Sequence, residues 1–258
     1  MDFLRSILNP RSASATLVLL ATLAPAPRLS ADDFEDGQSL AAELRQSRPT
    51  QPVDVQGVIR RRNAEGYRTN IPFHYRLILG SNEWRSVYET TAVAGLGPQK
   101  LTVRHAENEA NQYRLESTPA GGTEALVTNL TGPGAMVSFA GSDFWLADLG
   151  LDFLHWPQHR IVEEVRIRMR KGRPCQILES RNPAPDAQGY NRVISWIDRE
   201  TGKPIIAEAY APDGRLLKEF EVGGVTKVGG VWELKNLEIR NLREDSRTIL
   251  EFTYHQKE

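Results

Sequence analysis

Gly141-Ser142-Asp143-Phe144-Trp145-Leu146-Ala147-Asp148-Leu149-Gly150-Leu151-Asp152-Phe153-Leu154-His155-Trp156-Pro157 is the densest aromatic segment of the 258-residue chain, and it reads as helix where the rest reads as strand. Trp145, Leu149, Phe153 and Trp156 recur at steps of four, four and three, the spacing of one helical face. Asp148, Asp152 and His155 fall on another face, which is expected to be solvated. Ser142 or Asp143 is placed to cap the first turn, and Pro157 to stop the last. Gly150 is the expected break or hinge. A short aromatic helix set in a long β pattern implies a sheet with an apolar face to bury, so this stretch is expected to cover either a core or a cavity.

On its N-terminal side the period is two. Ile71, Phe73, Tyr75, Leu77 and Leu79 alternate with Pro72, His74, Arg76 and Ile78, which puts five large apolar groups on one face of a strand. Trp84 and Tyr88 follow the Gly80-Ser81-Asn82 turn. Leu101, Val103 and His105 come next, then Tyr113 and Leu115, each run separated by turn residues. Before Val53, Gln38 to Gln46 is rich in helix formers and reads as one amphipathic helix. On the C-terminal side, strands are expected around Val165–Met169, Cys175–Glu179, Arg192–Asp198, Ile205–Tyr210, Leu216–Val222, Trp232–Asn241 and Thr248–His255. The total is about ten strands joined by hairpin-sized turns. The glycine pairs at 223–224 and 229–230 fit bulges or bends. The expected fold is mainly β (α+β): a strongly curved antiparallel sheet whose concave side is covered by short helices. Two such helices do not fill a sheet of this size, which leaves room for a ligand.

A formal net charge of −1 removes the basic excess that a nucleic-acid partner requires. The lone cysteine, Cys175, excludes a disulfide framework and reads as a buried apolar residue. Arg5 and Arg11 precede an apolar run from Ala13 to Ala24, and small residues and prolines extend to Ala31. That order is the order of a secretory signal peptide cleaved near Ala31. The expected organisation is therefore a signal peptide over 1–31 and a single domain over 32–258.

The signal peptide, the leading helix, Gly-Ser-Asp-Phe at 141–144 running to Asp148-Leu149, and Cys-x-x-Leu-Glu at 175–179 together resemble the outer-membrane lipoprotein-sorting (LolA-like) family. So does Trp-Ile-Asp-x-x-Thr-Gly-x-Pro at 196–204 followed by Ala209-Tyr210-x-x-x-Gly-Arg-Leu-Leu-Lys-Glu-Phe. The resemblance implies an incomplete antiparallel barrel lidded by helices, with an apolar cavity that receives lipoprotein acyl chains or lipid in the periplasm. It also implies inner- or outer-membrane transport proteins as partners. The chain departs from the family at Trp145-Leu146-Ala147, where the lid becomes more apolar. The arginine that restrains the lid of such carriers has no assignable counterpart in the sequence alone.

The expected cavity and lid residues are Phe73, Tyr75, Leu77, Trp84, Tyr88, Leu101, Val103, Phe144, Trp145, Leu149, Phe153 and Trp156, since acyl chains are held by apolar walls at about 0.8 kcal/mol per buried methylene. Asp148, Asp152 and His155 are weighed as metal ligands and set aside, because Gly150 interrupts their helix. No Gly-x-Ser-x-Gly elbow or phosphate loop is present. No catalytic residue, metal or cofactor is expected, and the protein is expected to be a monomer. The other readings are an envelope scaffold using the same fold and an envelope hydrolase. Arg166, Arg168 and Arg170 form a basic row, read first as a solvated face paired with glutamates and second as a contact for anionic headgroups.

Overall fold

A computed structural model describes residues 31–93, 95–107, 109–162, 168–183 and 189–254. The signal-peptide reading of the first thirty residues, Arg166 of the basic row, and His255 lie outside them. Helix α1 (Ala31–Gln46) leads into β1 (Val53–Arg62), β2 (Arg68–Leu79), β3 (Glu83–Thr90), β4 (Gln99–Ala106), β5 (Gln112–Ser117) and β6 (Leu126–Leu130). A 3₁₀ turn (Gly132–Ala135), helix α2 (Leu146–Leu149) and a second 3₁₀ turn (Asp152–His155) follow. The chain then forms β7 (Gln158–Ile161), β8 (Arg168–Arg170), β9 (Arg173–Arg181), β10 (Arg192–Asp198), β11 (Pro204–Tyr210), β12 (Leu216–Val228), β13 (Val231–Asn241) and β14 (Ser246–Thr253).

All the strands belong to one antiparallel sheet of order β6-β5-β4-β3-β2-β1-β14-β13-β12-β11-β10-β9-β7, with β8 on the side of β9. β1 and β14 come from opposite ends of the chain and pair from Gln56 opposite Thr253 to Arg62 opposite Arg247. Their pairing joins two meanders into one continuous ladder. The mainly β expectation holds, but the strong curl does not: the sheet is open and not strongly curled. The physical reason lies in residues 131–157, which insert large side chains between the two arms of the sheet. Phe139, Phe144 and Leu146 are fully buried there, and Phe153 and Trp156 nearly so.

Period-two alternation in β2 buries Ile71, Phe73 and Leu77 on this side. Across the sheet, Leu101, Val103, Tyr113, Leu178, Val193, Ile239 and Leu250 join the same core. Ala41 of α1 is in it as well, with Leu40 and Leu44 packed against it. Helix α1 begins seven residues earlier than the sequence indicates, taking in the acidic stretch before Gln38. Cys175 is buried on the other side of the sheet with Ile177, Trp196 and Ile206, as its strand pattern indicates.

The aromatic stretch is not one helix. It is a single α-helical turn over Leu146–Leu149 and a 3₁₀ turn over Asp152–His155, separated where Leu151 adopts a left-handed conformation at φ 52°. Neither Ser142 nor Asp143 caps it. The cap is made from within, the Asp148 carboxylate accepting the Trp145 N–H at 2.8 Å. The solvated polar face also fails: Asp148 and Asp152 are 2% and 5% exposed. A helix this short is shaped by its surroundings rather than by its own amphipathic pattern.

Gly150 is fixed by contacts rather than free to hinge. Its carbonyl accepts from Asn111 Nδ2 at 2.7 Å, and a Cβ on it would lie 2.3 Å from Tyr113 Oη. Gly150→Ala is therefore expected to destabilise the fold by about 1–3 kcal/mol through overpacking. A lower urea midpoint at unchanged m-value would report it.

Candidate functional site

The segment 141–149 is held to the sheet by buried charge. In β12, alternation turns Lys218 to the same side as Phe220, where it is 1% exposed. Its ammonium donates to the Asp143 carbonyl at 2.8 Å and to Asp148 Oδ2 at 3.0 Å, and lies 3.4 Å from the centroid of the Trp145 ring. Asp148 Oδ1 accepts from Tyr190 Oη at 2.5 Å, and the Tyr190 ring stacks on Trp145 at 5.4 Å. Asp143 takes the hydroxyls of Ser246 and Thr248 at 2.5 and 2.6 Å, with Arg61 Nε 3.7 Å away. Burial lowers the Lys218 pKa, and Asp148 opposes that shift. Burial also drives the Tyr190 hydroxyl well above its ordinary range, reinforced by the Asp148 charge. Four strand residues and Tyr190 thus fix one loop.

Beyond this anchor, the segment forms one wall of a cavity of about 510 Å³. The opposite wall is β2–β4, and the C-terminal end of α1 closes a third side. Leu44, Tyr75, Trp84, Tyr88, Leu149 and Leu154 supply apolar surface, while Arg45, Arg48, His105, Asn111 and His155 stand among them. Arg45 Nη1 donates to the Leu154 carbonyl at 2.5 Å, which ties α1 to the second 3₁₀ turn. Gln38 Nε2 makes a parallel tie to the Pro157 carbonyl at 2.9 Å. Arg48 binds the carbonyls of Gly80 and Ser81 in the β2–β3 turn. His105 stacks on Trp84 with ring centroids 5.0 Å apart. Burial lowers the pKa of His105 and of His155 to about 4, so both imidazoles are neutral near pH 7.

Of the twelve expected cavity and lid residues, Tyr75, Trp84, Tyr88 and Leu149 line this space. Leu77 lines an adjoining groove of about 410 Å³ with Tyr75, Tyr88, Phe252 and Tyr254. Phe73, Leu101, Val103, Phe144, Phe153 and Trp156 lie in the closed core. Trp145 packs on Tyr190 and Lys218, outside the lining. Sequence reading missed Arg45, Asn111 and Lys218. For Lys218 a signal existed, since Leu216, Lys218, Phe220 and Val222 alternate onto one face. His105 likewise continues the inward face of Leu101 and Val103.

Asp148, Asp152 and His155 do not converge: Asp152 accepts from Tyr113 Oη at 3.2 Å, whereas His155 faces the cavity. Burial raises the Asp152 pKa. Among the described residues no group of three His, Cys, Asp or Glu is placed to hold a metal, and no helix is long and apolar enough to cross a membrane. In the basic row, Arg170 pairs with Glu208 at 3.2 Å and lies over the Trp196 ring.

A family model described as "Uncharacterized protein" matches residues 123–257, just over half of the chain. No curated protein matches the sequence. Among solved structures, a DUF1329 family protein from Desulfovibrio piger is 20% identical at a TM-score of 0.69, covering 88% of this chain and 93% of its own. An outer membrane lipoprotein-sorting protein domain from Vibrio parahaemolyticus is 16% identical at 0.69, covering 85% and 91%. A LolA superfamily protein from Nitrosomonas europaea is 15% identical at 0.57, covering 86% and 94%. At these identities the likeness is one of fold.

Lys218→Met strips the buried Asp148 carboxylate of its cation and is expected to cost about 3–5 kcal/mol of unfolding free energy. The double variant Lys218→Met/Asp148→Asn should recover part of that loss in urea denaturation. His105, His155 and His159 all have pKa values lowered to about 4 by burial. The unfolded chain binds their protons near 6.5 and the folded chain only near 4, so stability is fully present above pH 6.5 and falls as pH drops towards 4. In NMR titration these imidazoles should show no protonation shift above pH 5.

Proposed function

We propose that this chain, which belongs to the family whose model matches residues 123–257 and shares its fold with LolA superfamily proteins, is a periplasmic carrier or chaperone. It shields a lipoprotein acyl chain, or the chain of a free lipid, between its sheet and its lid, for the sorting of outer-membrane lipoproteins. It reaches the periplasm through a cleaved N-terminal signal peptide and works there as a non-enzymatic protein.

The observation that carries this reading is the cavity of about 510 Å³, walled by Tyr75, Trp84 and Tyr88 on one side and Leu149 and Leu154 on the other. Its size falls within the range of about 300–1,000 Å³ that suits a small ligand. Each methylene moved from water onto such walls gains about 0.8 kcal/mol, so a chain is retained without specific polar chemistry. The imidazoles of His105 and His155 are neutral, whereas Arg45, Arg48, Glu107 and Glu109 bring charge to the same lining, so the apolar walls hold the chain beside a charged border. Arg45 supplies the lid restraint: its bond to the Leu154 carbonyl must lengthen for the wall formed by residues 149–155 to move away from β3 and β4. The remaining expected lid residues act from behind, by keeping that wall packed.

Protein purified from the bacterial envelope should carry co-purifying lipid in native mass spectrometry, and delipidated protein should bind a fluorescent fatty acid. Trp84→Glu, which charges the half-buried mouth, should weaken probe binding about tenfold or more, since desolvating a carboxylate costs well over 1.4 kcal/mol. Its β-type circular dichroism should be unchanged. Arg45→Ala should speed probe uptake. Absence of both lipid and probe binding would sink the carrier reading.

A further inference from the structure

The β12–β13 hairpin outruns its neighbours. β12 and β13 pair with each other as far as Val228 opposite Val231. β11 leaves β12 at Ile206 opposite Glu221, and β14 leaves β13 at Asn236 opposite Glu251. Beyond those points Val225–Val228 and Val231–Leu234 pair only with each other, as a two-stranded arm turned by Gly229 and Gly230, both at positive φ. Register breaks at Val222, Gly224 and Val225 mark where the arm leaves the sheet. A two-stranded ribbon without a third strand has little stability of its own in water.

The arm nevertheless carries apolar side chains outward. Trp232 is 66% exposed and Val225 54%, whereas the other four of the five tryptophans are buried or half-buried. Lys227 lies directly opposite Trp232, its ammonium 5.9 Å from the ring centroid, Lys235 is exposed three residues further along β13, and Glu233 lines the groove beside Trp232. An exposed tryptophan flanked by lysines is the chemistry of a membrane–water interface, where the indole sits at headgroup depth and ammonium groups meet lipid phosphates. The arm is also continuous with the cavity. Trp232 and Leu234 line the groove of about 410 Å³ that runs by Phe252 and Tyr254 to Tyr75 and Tyr88, which line the cavity as well. Tyr254 Oη fixes the base of the arm by donating to the Leu234 carbonyl at 3.0 Å.

We infer that the β12–β13 arm docks on the surface of an anionic lipid bilayer through Trp232, with Lys227 and Lys235 on headgroup phosphates, and so sets the groove from Trp232 to Tyr75 against the membrane. The purpose of this contact rests on the carrier reading; the contact itself is measurable apart from it.

The test is co-sedimentation of the full mature chain with vesicles of phosphatidylethanolamine and phosphatidylglycerol. The parent protein should bind, and Trp232→Ser should bind roughly tenfold more weakly at an unchanged melting temperature, in keeping with transfer of one large side chain to the interface. Lys227→Gln/Lys235→Gln should reduce binding to these vesicles and have no effect on any binding to pure phosphatidylcholine. Brominated lipids should quench the part of the tryptophan emission that Trp232→Ser removes. Equal binding by parent and Trp232→Ser overturns the inference, as does no binding by the parent, which would leave a protein as the occupant of the arm. Fatty-acid probe binding should survive in Lys227→Gln/Lys235→Gln, which lies outside both linings. Failure of the vesicle assay with probe binding intact therefore counts against the arm alone, and failure of probe binding counts against the carrier reading alone.

Discussion

Two buried carboxylates and one buried lysine sit against the rings of Tyr190 and the half-buried Trp145, and the placement of residues 141–149 follows from how they satisfy one another. Lys218 directs its ammonium at the Asp143 carbonyl, the Asp148 carboxylate and the face of Trp145. Asp148 in turn holds the Trp145 N–H and the Tyr190 hydroxyl. A buried ion pair adds little net stability over a well-packed apolar pair, but leaving either member alone is expensive. Its effect is therefore to specify position. The partners of these buried charges come from distant parts of the chain, β1, β12, β14 and Tyr190, two residues before β10.

That anchoring lets one segment have two characters. Its first part, through Phe144 and Leu146, is core and fills the space between the arms of the sheet, which is why the sheet does not curl tightly around it. Its second part, from Leu149 to His155, has the cavity beside it and is held towards α1 by Arg45 and Gln38. Hydrogen bonds to backbone carbonyls from the half-buried Arg45 and the exposed Gln38 are weaker constraints than the buried network around Asp148. The more strongly anchored end of the segment is therefore the one next to β12 and β14.

Much of this was legible in the residues. The alternation of Ile71 to Leu79 and its successors identified the strands and their inward faces, and Cys175 fell where a small buried residue was expected. Of the residues expected to wall a cavity from their apolar periodicity and from the family resemblance, Tyr75, Trp84, Tyr88 and Leu149 line the space of about 510 Å³. Phe73, Leu101 and Val103 were chosen by the same criterion yet belong to the closed core, because periodicity reports which face is inward and not what lies against it. The helical reading of 141–157 failed for a related reason. Its spacing matched a helical face, but a segment with so many tertiary hydrogen bonds takes the backbone shape those bonds require. Asp148 and Asp152, polar and therefore assigned to solvent, are buried because Lys218, Tyr190 and Tyr113 meet them from far away in sequence.

The sequence by itself determined a mainly β chain of hairpins, the faces of its strands, and an aromatic insertion that must cover apolar surface, since all three depend on residue type and spacing over a few neighbours. Only the tertiary structure decided that β1 and β14 join the two meanders, that Lys218 rather than a helix cap fixes the insertion, that Arg45 reaches Leu154, and that the β12–β13 arm stands clear with Trp232 exposed. Each of these depends on which distant strand lies opposite, and the free energy of a charge or an aromatic ring is set by that neighbour far more than by its own place in the chain.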